Sequence, residues 1–240
     1  DAPRDYSADI KGSGSNKTLT PNGGAGVGYE LGNYYGSAMS FHGTGDDAIF
    51  VPASSDIDLT GDFTIEYWAY VDSNVTYSAQ LSSKNYYNGS NLQDGNFYLG
   101  QIHNGNLTIY SYNGQSNGVT SQYTIPSESR FGQWQHMCFE RHGNTMSTYL
   151  NGVAVAVDTN WTRSLDDASN GLYIGKLSKD GGTDDYGNFD GKIQDLRIYS
   201  GVAKYKGGFD VLKPYTSVGI ESWRQVSDTC KNNFATLNPL

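Results

Sequence analysis

The stretch 63–71, which reads FTIEYWAYV, decides the fold class of this chain. Its residues alternate along the backbone: one phase holds Phe63, Ile65, Tyr67, Ala69 and Val71, and the other holds Thr64, Glu66, Trp68 and Tyr70. A period of two is that of a β-strand, whose successive side chains point to opposite faces of a sheet. We therefore predict a central strand with one apolar face and one face that carries aromatic side chains.

Strand-type segments recur roughly every 8 to 12 residues, with turn residues between them. We predict further strands at 38–41, 48–51, 96–102, 107–112, 134–141, 146–150, 153–157 and 189–199. The turns at 43–47 and 103–106 predict two hairpins, and the turns at 143–144 and 151–152 predict a three-strand meander. Residues 1–35 are polar and glycine-rich, so we expect extended or loop structure there. We expect less than about a tenth of the residues in helix, because helical periodicity is absent.

The last predicted strand needs an irregularity to bury its apolar residues. Ile193 lies in one phase of the alternation, and Leu196 and Ile198 lie in the other. A β-bulge near Gln194-Asp195 would bring all three side chains to the same face. The residues that we expect to be mostly buried are Phe63, Ile65, Tyr67, Met137, Phe139, Leu150, Ile174, Ile193, Leu196 and Ile198.

Composition and charge exclude several classes of partner. The 240 residues include 30 Gly and 19 Tyr but only 3 Met, which suits short strands joined by tight turns. A formal net charge of −9 disfavours nucleic acid and anionic membrane surfaces as partners. No apolar run approaches the roughly 20 residues that span a bilayer. Disulfide scaffolds are dense in cysteine, so we expect Cys138 and Cys230 to be free thiols.

Four segments, in this order along the chain, resemble the laminin-G-like, concanavalin-A-like domain family: 61–68 (GDFTIEYW), 134–152 (WQH through YLNG), 172–175 (LYIG) and 189–199 (FDGKIQDLRIY). The resemblance covers about residues 39–205. It implies an all-β, two-sheet antiparallel jelly-roll sandwich, often with one structural calcium ion, and roles in glycan binding or protein contact. We accordingly place one laminin-G-like domain with an extended N-terminal segment at 1–215. Residues 216–240 lack a strong period, and we expect an irregular tail that begins a linker or a further domain.

Two acidic regions are candidates for the calcium ion that the resemblance implies. Ca²⁺ prefers six to eight oxygen ligands from carboxylates, amides and backbone carbonyls. The family's calcium often joins the first segment to the last strand, where Asp9, Asn16 and Asp195 stand. The alternative is the loop 180–186, with Asp180, Asp184 and Asp185, whose acids also suit a solvated turn. We expect such an ion to stabilise the fold and to have no catalytic role.

The loop 82–94 is the sequence's candidate for glycan contact. It carries Asn85, Tyr86, Tyr87 and Gln93. Aromatic rings stack on sugar rings, and amides bond the sugar hydroxyl groups. Tyrosine is abundant in this chain, however, and such residues also serve to cover sheet faces.

The sequence lacks the motifs of the enzymes that share this fold class. Retaining glycoside hydrolysis needs two carboxylates about 5 Å apart, but no motif of the Glu-x-Asp-x-x-Glu type occurs around Glu66, which has no acidic residue two places away on either side. The tripeptide 101–103 (QIH) resembles one motif of jelly-roll alginate lyases, but the partner motifs of that family are missing. We therefore predict that the protein is not an enzyme.

Two further stretches resemble segments of virion structural proteins from marine tailed bacteriophages. They are 200–205 (SGVAKY) and 230–240 (CKNNFATLNPL). The resemblance implies a virion location and a non-catalytic fibre, tail or capsid-decoration module, as a homo-oligomer or bound to other virion proteins, with possible glycan contact. The alternatives are a carbohydrate-binding lectin module of a secreted or cell-surface protein and, ranked last, a polysaccharide-degrading enzyme.

Overall fold

The computed structural model describes residues 1–12, 14–29, 32–33, 35–73, 78–83, 87–88, 91–92, 97–111, 119–165, 171–177 and 187–211. Its helical segments in these ranges are α1 (Ser7–Lys11) and two 3-10 turns (Ser55–Ile57 and Ser127–Ser129). The strands are β1 (Thr20–Asn22), β2 (Gly26–Tyr29), β3 (Ser37–His42), β4 (Ala48–Val51), β5 (Phe63–Val71), β6 (Leu81–Ser83), β7 (Tyr87–Asn88), β8 (Asn91–Leu92), β9 (Phe97–His103), β10 (Asn106–Ser111), β11 (Val119–Thr124), β12 (Trp134–His142), β13 (Thr145–Leu150), β14 (Val153–Asp158), β15 (Leu172–Ile174) and β16 (Asp190–Ser200). In this part of the chain no helix has the length and apolar character that a membrane crossing requires.

In the described part of the chain, two antiparallel sheets of seven strands each make up the sandwich. The first sheet has the order β1-β4-β15-β6-β9-β10-β11, and the second has the order β14-β13-β12-β5-β16-β3-β2. The strands β7 and β8 form a separate two-stranded ribbon. The predicted all-β, two-sheet antiparallel sandwich is confirmed.

The core lies between the two sheets and contains the apolar phase of β5. Phe63, Ile65 and Tyr67 have no exposed surface, and the ring of Tyr67 lies 6.1 Å from that of Phe139. Two residues that we predicted to be mostly buried are only partly so, although both pack against the core: Leu196 and Ile198. The other predicted core residues are buried: Phe63, Ile65, Tyr67, Met137, Phe139, Leu150, Ile174 and Ile193.

The bulge predicted in the last strand is present. The pairing of β16 with β5 changes register between Gln194 and Arg197, and Asp195 has a φ of +55°. Ile193 lies opposite Ala69 before the bulge, and Ile198 lies opposite Ile65 after it. Because Ala69 and Ile65 share the core face, the extra residue keeps the apolar side chains of β16 on that face.

One predicted hairpin is wrong. β3 pairs with β2 and β16 in the second sheet, whereas β4 pairs with β1 and β15 in the first. The turn 43–47 therefore crosses from one sheet to the other. Its hydrogen bonds explain the crossing, since Gly43 N–H donates to Phe189 O and the buried Asp47 carboxylate accepts N–H groups of Gly24 and His42. The predicted hairpin β9–β10 and the meander β12–β13–β14 are confirmed.

The N-terminal segment has more regular structure than we expected. It contributes β1 to one end of the first sheet and β2 to one end of the second. Both strands are short and polar or glycine-rich, so their pairing depends on β4 and β3 rather than on β-propensity. Cys138 is a buried free thiol. The predicted domain boundary at 215, the tail 216–240 and Cys230 lie outside the described residues.

Candidate functional site

The outer face of the second sheet carries the aromatic phase of β5. Thr64, Glu66, Trp68 and Tyr70 point away from the core, as alternation along the strand requires. Residues 201–211, which we call the strap, follow β16 and lie across this face. The strap is tied at one end by Gly201 N–H to Asp62 O (2.8 Å) and at the other by Phe209 N–H to Gly152 O (2.9 Å). This cover explains why Glu66 is only 3% exposed although it lies on an outer face.

A cleft of about 490 Å³ opens beside the strap, and we call it the aromatic cleft. Its walls combine aromatic rings with amide and carboxylate groups. The described residues that line it are Trp68, Gln133, Trp134, Asn151, Val153, Phe209, Asp210 and Val211.

The register of β5 against β12 fixes the aromatic side chains of this region. Trp134 lies opposite Tyr70, with ring centroids 5.7 Å apart in an edge-on arrangement. Trp68 lies opposite His136 at 5.3 Å in the same kind of arrangement. Lys192 of β16 places its ammonium 4.5 Å from the centroid of Tyr70. Cross-strand packing therefore holds both tryptophans of the cleft in place without a ligand.

Asn151 supplies an oriented amide to the aromatic cleft. Its side-chain Oδ1 accepts a hydrogen bond from the backbone N–H of His136 at 2.9 Å. Its own backbone N–H donates to the backbone carbonyl of His136 at 2.8 Å. Because Oδ1 faces β12, the side-chain NH₂ group is the one left to meet a ligand. Hydrogen-bond donors fixed in this way beside aromatic rings suit the hydroxyl groups of a polar ligand.

Glu140 is a buried anchor for the strap. Its two carboxylate oxygens accept the backbone N–H groups of Tyr205 and Lys206, each at 2.7 Å. The hydroxyl of Thr64 lies 3.1 Å from the same carboxylate and accepts Lys204 N–H at 3.0 Å. A carboxylate that is 2% exposed is thus satisfied by the strap's own backbone.

Glu66 is the second anchor. It accepts hydrogen bonds from Lys204 Nζ at 2.7 Å and from the Tyr205 hydroxyl, and His136 Nε2 lies 3.7 Å away. Burial and the bond to Glu66 raise the pKa of Tyr205 to about 12. Burial lowers the pKa of Lys204, but its bonds to Glu66 and neighbouring hydroxyls outweigh that effect and raise the pKa overall. Burial also lowers the pKa of His136, although the charge of Glu66 acts in the opposite direction.

The two glutamates are near each other but engaged. Glu66 lies opposite Cys138, and Glu140 lies opposite Thr64, so they are diagonal neighbours on one face. All four carboxylate oxygens have partners: Glu66 bonds Lys204 and Tyr205, and Glu140 bonds Tyr205 and Lys206. In this arrangement neither carboxylate faces an open site. The geometry favours a structural role over acid–base chemistry.

The first predicted calcium site does not fit a calcium cage. The amide NH₂ of Asn16 donates to Asp9 Oδ2 at 2.8 Å, so this group presents a donor where a cation needs an oxygen. Asp195 accepts two hydrogen bonds from the Arg197 guanidinium, at 2.9 and 2.7 Å. Among the described residues no group of three or more His, Cys, Asp or Glu could hold a metal ion. The alternative acids, Asp180, Asp184 and Asp185, lie outside the described residues, and calcium binding stays a prediction.

The predicted glycan loop is mostly beyond the described ranges. Asn85, Tyr86 and Gln93 lie outside them, and of Tyr87 only the backbone is described, in β7. The aromatic cleft and the Glu140 anchor were missed by sequence reasoning. Trp68 in the outer phase of β5 was a signal for the cleft, but its partners on β12 and the strap become neighbours only in the folded chain.

Solved structures share this fold. Domain 4 of AbnA, a GH43 extracellular arabinanase from Geobacillus stearothermophilus, solved in complex with arabinotriose, has a TM-score of 0.60 and 21% identity, covering 84% of this chain and 92% of that chain. The binding domain of Paraclostridial Mosquitocidal Protein 1 has a TM-score of 0.57 and 14% identity, covering 82% of this chain and 46% of that chain. Domains LG4-5 of the mouse laminin alpha1 chain have a TM-score of 0.50 and 17% identity, covering 73% of this chain and 44% of that chain. At these identities the likeness shows the fold alone.

The family is shown by sequence. No curated protein is significantly similar to this chain. A sequence profile of the family, Laminin_G_3, described as the concanavalin A-like lectin/glucanases superfamily, matches residues 42–204. That span is more than half of the 240 residues, and it contains both β5 and β12. The chain therefore belongs to the concanavalin A-like lectin/glucanase superfamily.

Proposed function

We propose that this protein is a non-catalytic glycan-binding module and that the aromatic cleft is its binding site. The observation that carries the proposal is the placement of Trp68, Trp134 and Phe209 around one cleft, with the oriented amide of Asn151 beside them. Sugar rings present apolar C–H faces to aromatic rings and hydroxyl edges to amides. The structural neighbour from AbnA, which was solved with arabinotriose, is consistent with this proposal through its shared fold.

The lining of the cleft favours a neutral saccharide. Asp210 is the one charged residue among the described residues that line it, and none of these is Lys or Arg. A net charge of −9 adds a general repulsion toward anions. Uronate and sulfated chains would place a negative charge near Asp210 with no cation in the lining to offset it. A neutral pentose or hexose oligosaccharide meets no such cost.

The state of the glutamates supports binding without turnover. Glu66 and Glu140 are buried, and their oxygens bond the strap. A general acid must reach the glycosidic oxygen of the substrate, and the strap lies between these acids and solvent. We therefore expect a bound saccharide to be released unchanged.

Calorimetric titration of neutral oligosaccharides, with arabinotriose and a laminarin oligosaccharide among them, tests the proposal. We expect saturable binding, weaker or absent binding of alginate oligosaccharides, and no new reducing ends after prolonged incubation. Trp134→Ala should weaken the Kd about tenfold or more, as loss of a central aromatic contact does. Tyr29→Ala is the matched control, because Tyr29 is an exposed aromatic residue on the edge strand β2. Equal effects of the two substitutions, or turnover of any saccharide, would contradict the proposal.

The virion setting is a second, separate proposal. It rests on the resemblance of residues 200–205 and 230–240 to phage structural proteins, and the second segment lies outside the described residues. A repeated outer component of a particle should self-associate. Light scattering of the full-length protein is expected to give a homo-oligomer, and a strict monomer would favour the lectin alternative.

A further inference from the structure

We infer that Glu66 and Glu140 are positioning residues of the aromatic cleft. They hold the strap, and the strap holds Phe209, which forms one wall. The inference rests on the proposed function for its effect on saccharide affinity.

Glu140 fixes the path of the strap backbone. Two successive N–H groups, of Tyr205 and Lys206, converge on its carboxylate at 2.7 Å each. Lys206 has a φ of +53°, and such a left-handed residue lets consecutive N–H groups turn toward one anion. A carboxylate held by two backbone donors makes charge-assisted bonds, which are stronger than neutral ones. Glu140 therefore anchors the strap backbone at Tyr205 and Lys206, within one short segment that leads to Phe209.

Glu66 fixes the side chain that supports Phe209. The Tyr205 hydroxyl donates to Glu66, and Lys204 Nζ approaches the same carboxylate at 2.7 Å. The Tyr205 ring stacks on the Phe209 ring with centroids 3.5 Å apart and planes 9° apart. Loss of the Glu66 charge weakens the bond that holds the Tyr205 hydroxyl, because a neutral amide oxygen accepts less strongly than a carboxylate, and the stacking support of Phe209 weakens with it.

The other side of Phe209 is closed by the sheet. Its ring lies 5.3 Å from that of Tyr149 and 5.8 Å from that of His136, which is edge-on to it. His136 Nδ1 is buried and has no hydrogen-bond partner in the described part of the chain. Within the described ranges, this side holds the Phe209 ring by packing, and the Phe209 backbone is tied by its N–H to Gly152 O. The polar support of the ring comes through Tyr205, which the two glutamates hold by its hydroxyl and its backbone N–H.

A double-mutant cycle tests whether Glu66 acts through Phe209. We expect Glu66→Gln to weaken the Kd for the neutral saccharide about tenfold, within the range of coupled contacts. In a Phe209→Ala background the same substitution should cause no further loss of affinity. Tyr205→Phe, which removes only the hydroxyl, should act in the same direction and serves if Glu66→Gln does not fold. Equal losses in both backgrounds would overturn the inference, because they would show that Glu66 affects affinity without Phe209.

Tryptic cleavage and tryptophan emission follow the strap directly. Glu66→Gln and Glu140→Gln should speed cleavage at Lys204 and Lys206 and shift the emission of the cleft tryptophans to the red. Asp47→Asn is the matched control, because Asp47 is a buried carboxylate in the 43–47 turn, with Gly24 and His42 as its partners. If no saccharide binds the wild type, the proposed function fails, and these two readouts alone decide the strap anchor. Unchanged cleavage and emission in both glutamate variants would overturn the anchoring role.

Discussion

Glu66 shows how the neighbours of one residue decide its role. The sequence presents it as the one carboxylate inside a central strand, and no paired-carboxylate motif surrounds it. The fold nevertheless places Glu140 on the same face, although the two acids are far apart in the chain. The oxygens of both acids are bonded to the strap, which gives each carboxylate a structural partner. Cross-strand register, which the sequence does not display, made the difference.

His136 should make stability depend on pH in a defined window. Burial lowers its pKa from an ordinary value of 6.5, so the unfolded chain takes up the proton first as the pH falls. The stability that comes from keeping His136 neutral is therefore present above pH 6.5 and is lost as the pH falls through the folded pKa. In the His136→Gln variant, the unfolding free energy should fall less steeply with decreasing pH below that value. The difference in slope between the two proteins should be at most about 1.4 kcal/mol per pH unit. Urea titrations at several pH values measure the slope, and parallel curves for the two proteins would refute the assignment.

The sequence predicts strands where apolar and polar residues alternate strongly, and it predicts the connections between strands where the turns are tight. β5, the β9–β10 hairpin and the β12–β14 meander followed from these local signals. The bulge at Asp195 followed as well, because the apolar phase of β16 changes there. The connection from β3 to β4 did not follow, since Asp47 bonds Gly24 and His42 rather than closing a hairpin. Long-range bonds of this kind leave no local signal.

Burial on β16 predicts unequal effects of truncation along one strand. Ile193 is fully buried, whereas Leu196 is only partly buried. Ile193→Ala should lower the unfolding free energy by about 2–5 kcal/mol through lost burial and cavity formation. Leu196→Ala should cost clearly less, because solvent already reaches that side chain. Denaturant unfolding of both variants gives the comparison, and a larger loss at Leu196 would mean that the bulge is misplaced.

Gly152 at the β13–β14 turn is required for the strap to dock. Its φ is +80°, and a Cβ there would collide with the carbonyl oxygen of Phe209. Gly152→Ala should therefore cost about 1–3 kcal/mol of stability and also weaken saccharide binding, since it displaces Phe209. Gly143→Ala is the control, because Gly143 has a φ of +57° but no atom within 4 Å of the added Cβ. Denaturant unfolding and saccharide titration of both variants separate the effect of the collision from that of backbone strain. Equal losses of stability and affinity in the two variants would mean that the strap does not dock at Gly152.

At the scale of the molecule, the fold class was predictable and the site was not. Alternation and four family-like segments were enough for a two-sheet sandwich of the concanavalin A-like superfamily. The aromatic cleft combines residues near 68, near 134 and near 209, and only the sheet and the strap bring them together. The glycan site predicted from the sequence lies in a loop where aromatic and amide residues are adjacent in the chain, at Asn85, Tyr86, Tyr87 and Gln93. A local cluster of this kind is visible in the sequence, whereas a site assembled from distant strands is not.

A structure of the protein with a bound neutral oligosaccharide tests the central claim most directly. We expect the sugar in the aromatic cleft, with a ring face against Trp68 or Trp134, Phe209 as a wall and the Asn151 amide bonding a hydroxyl. The glycosidic bonds should be intact, and Glu66 and Glu140 should remain bonded to the strap. A sugar bound at Asn85, Tyr86, Tyr87 and Gln93, with the aromatic cleft empty, would contradict the account.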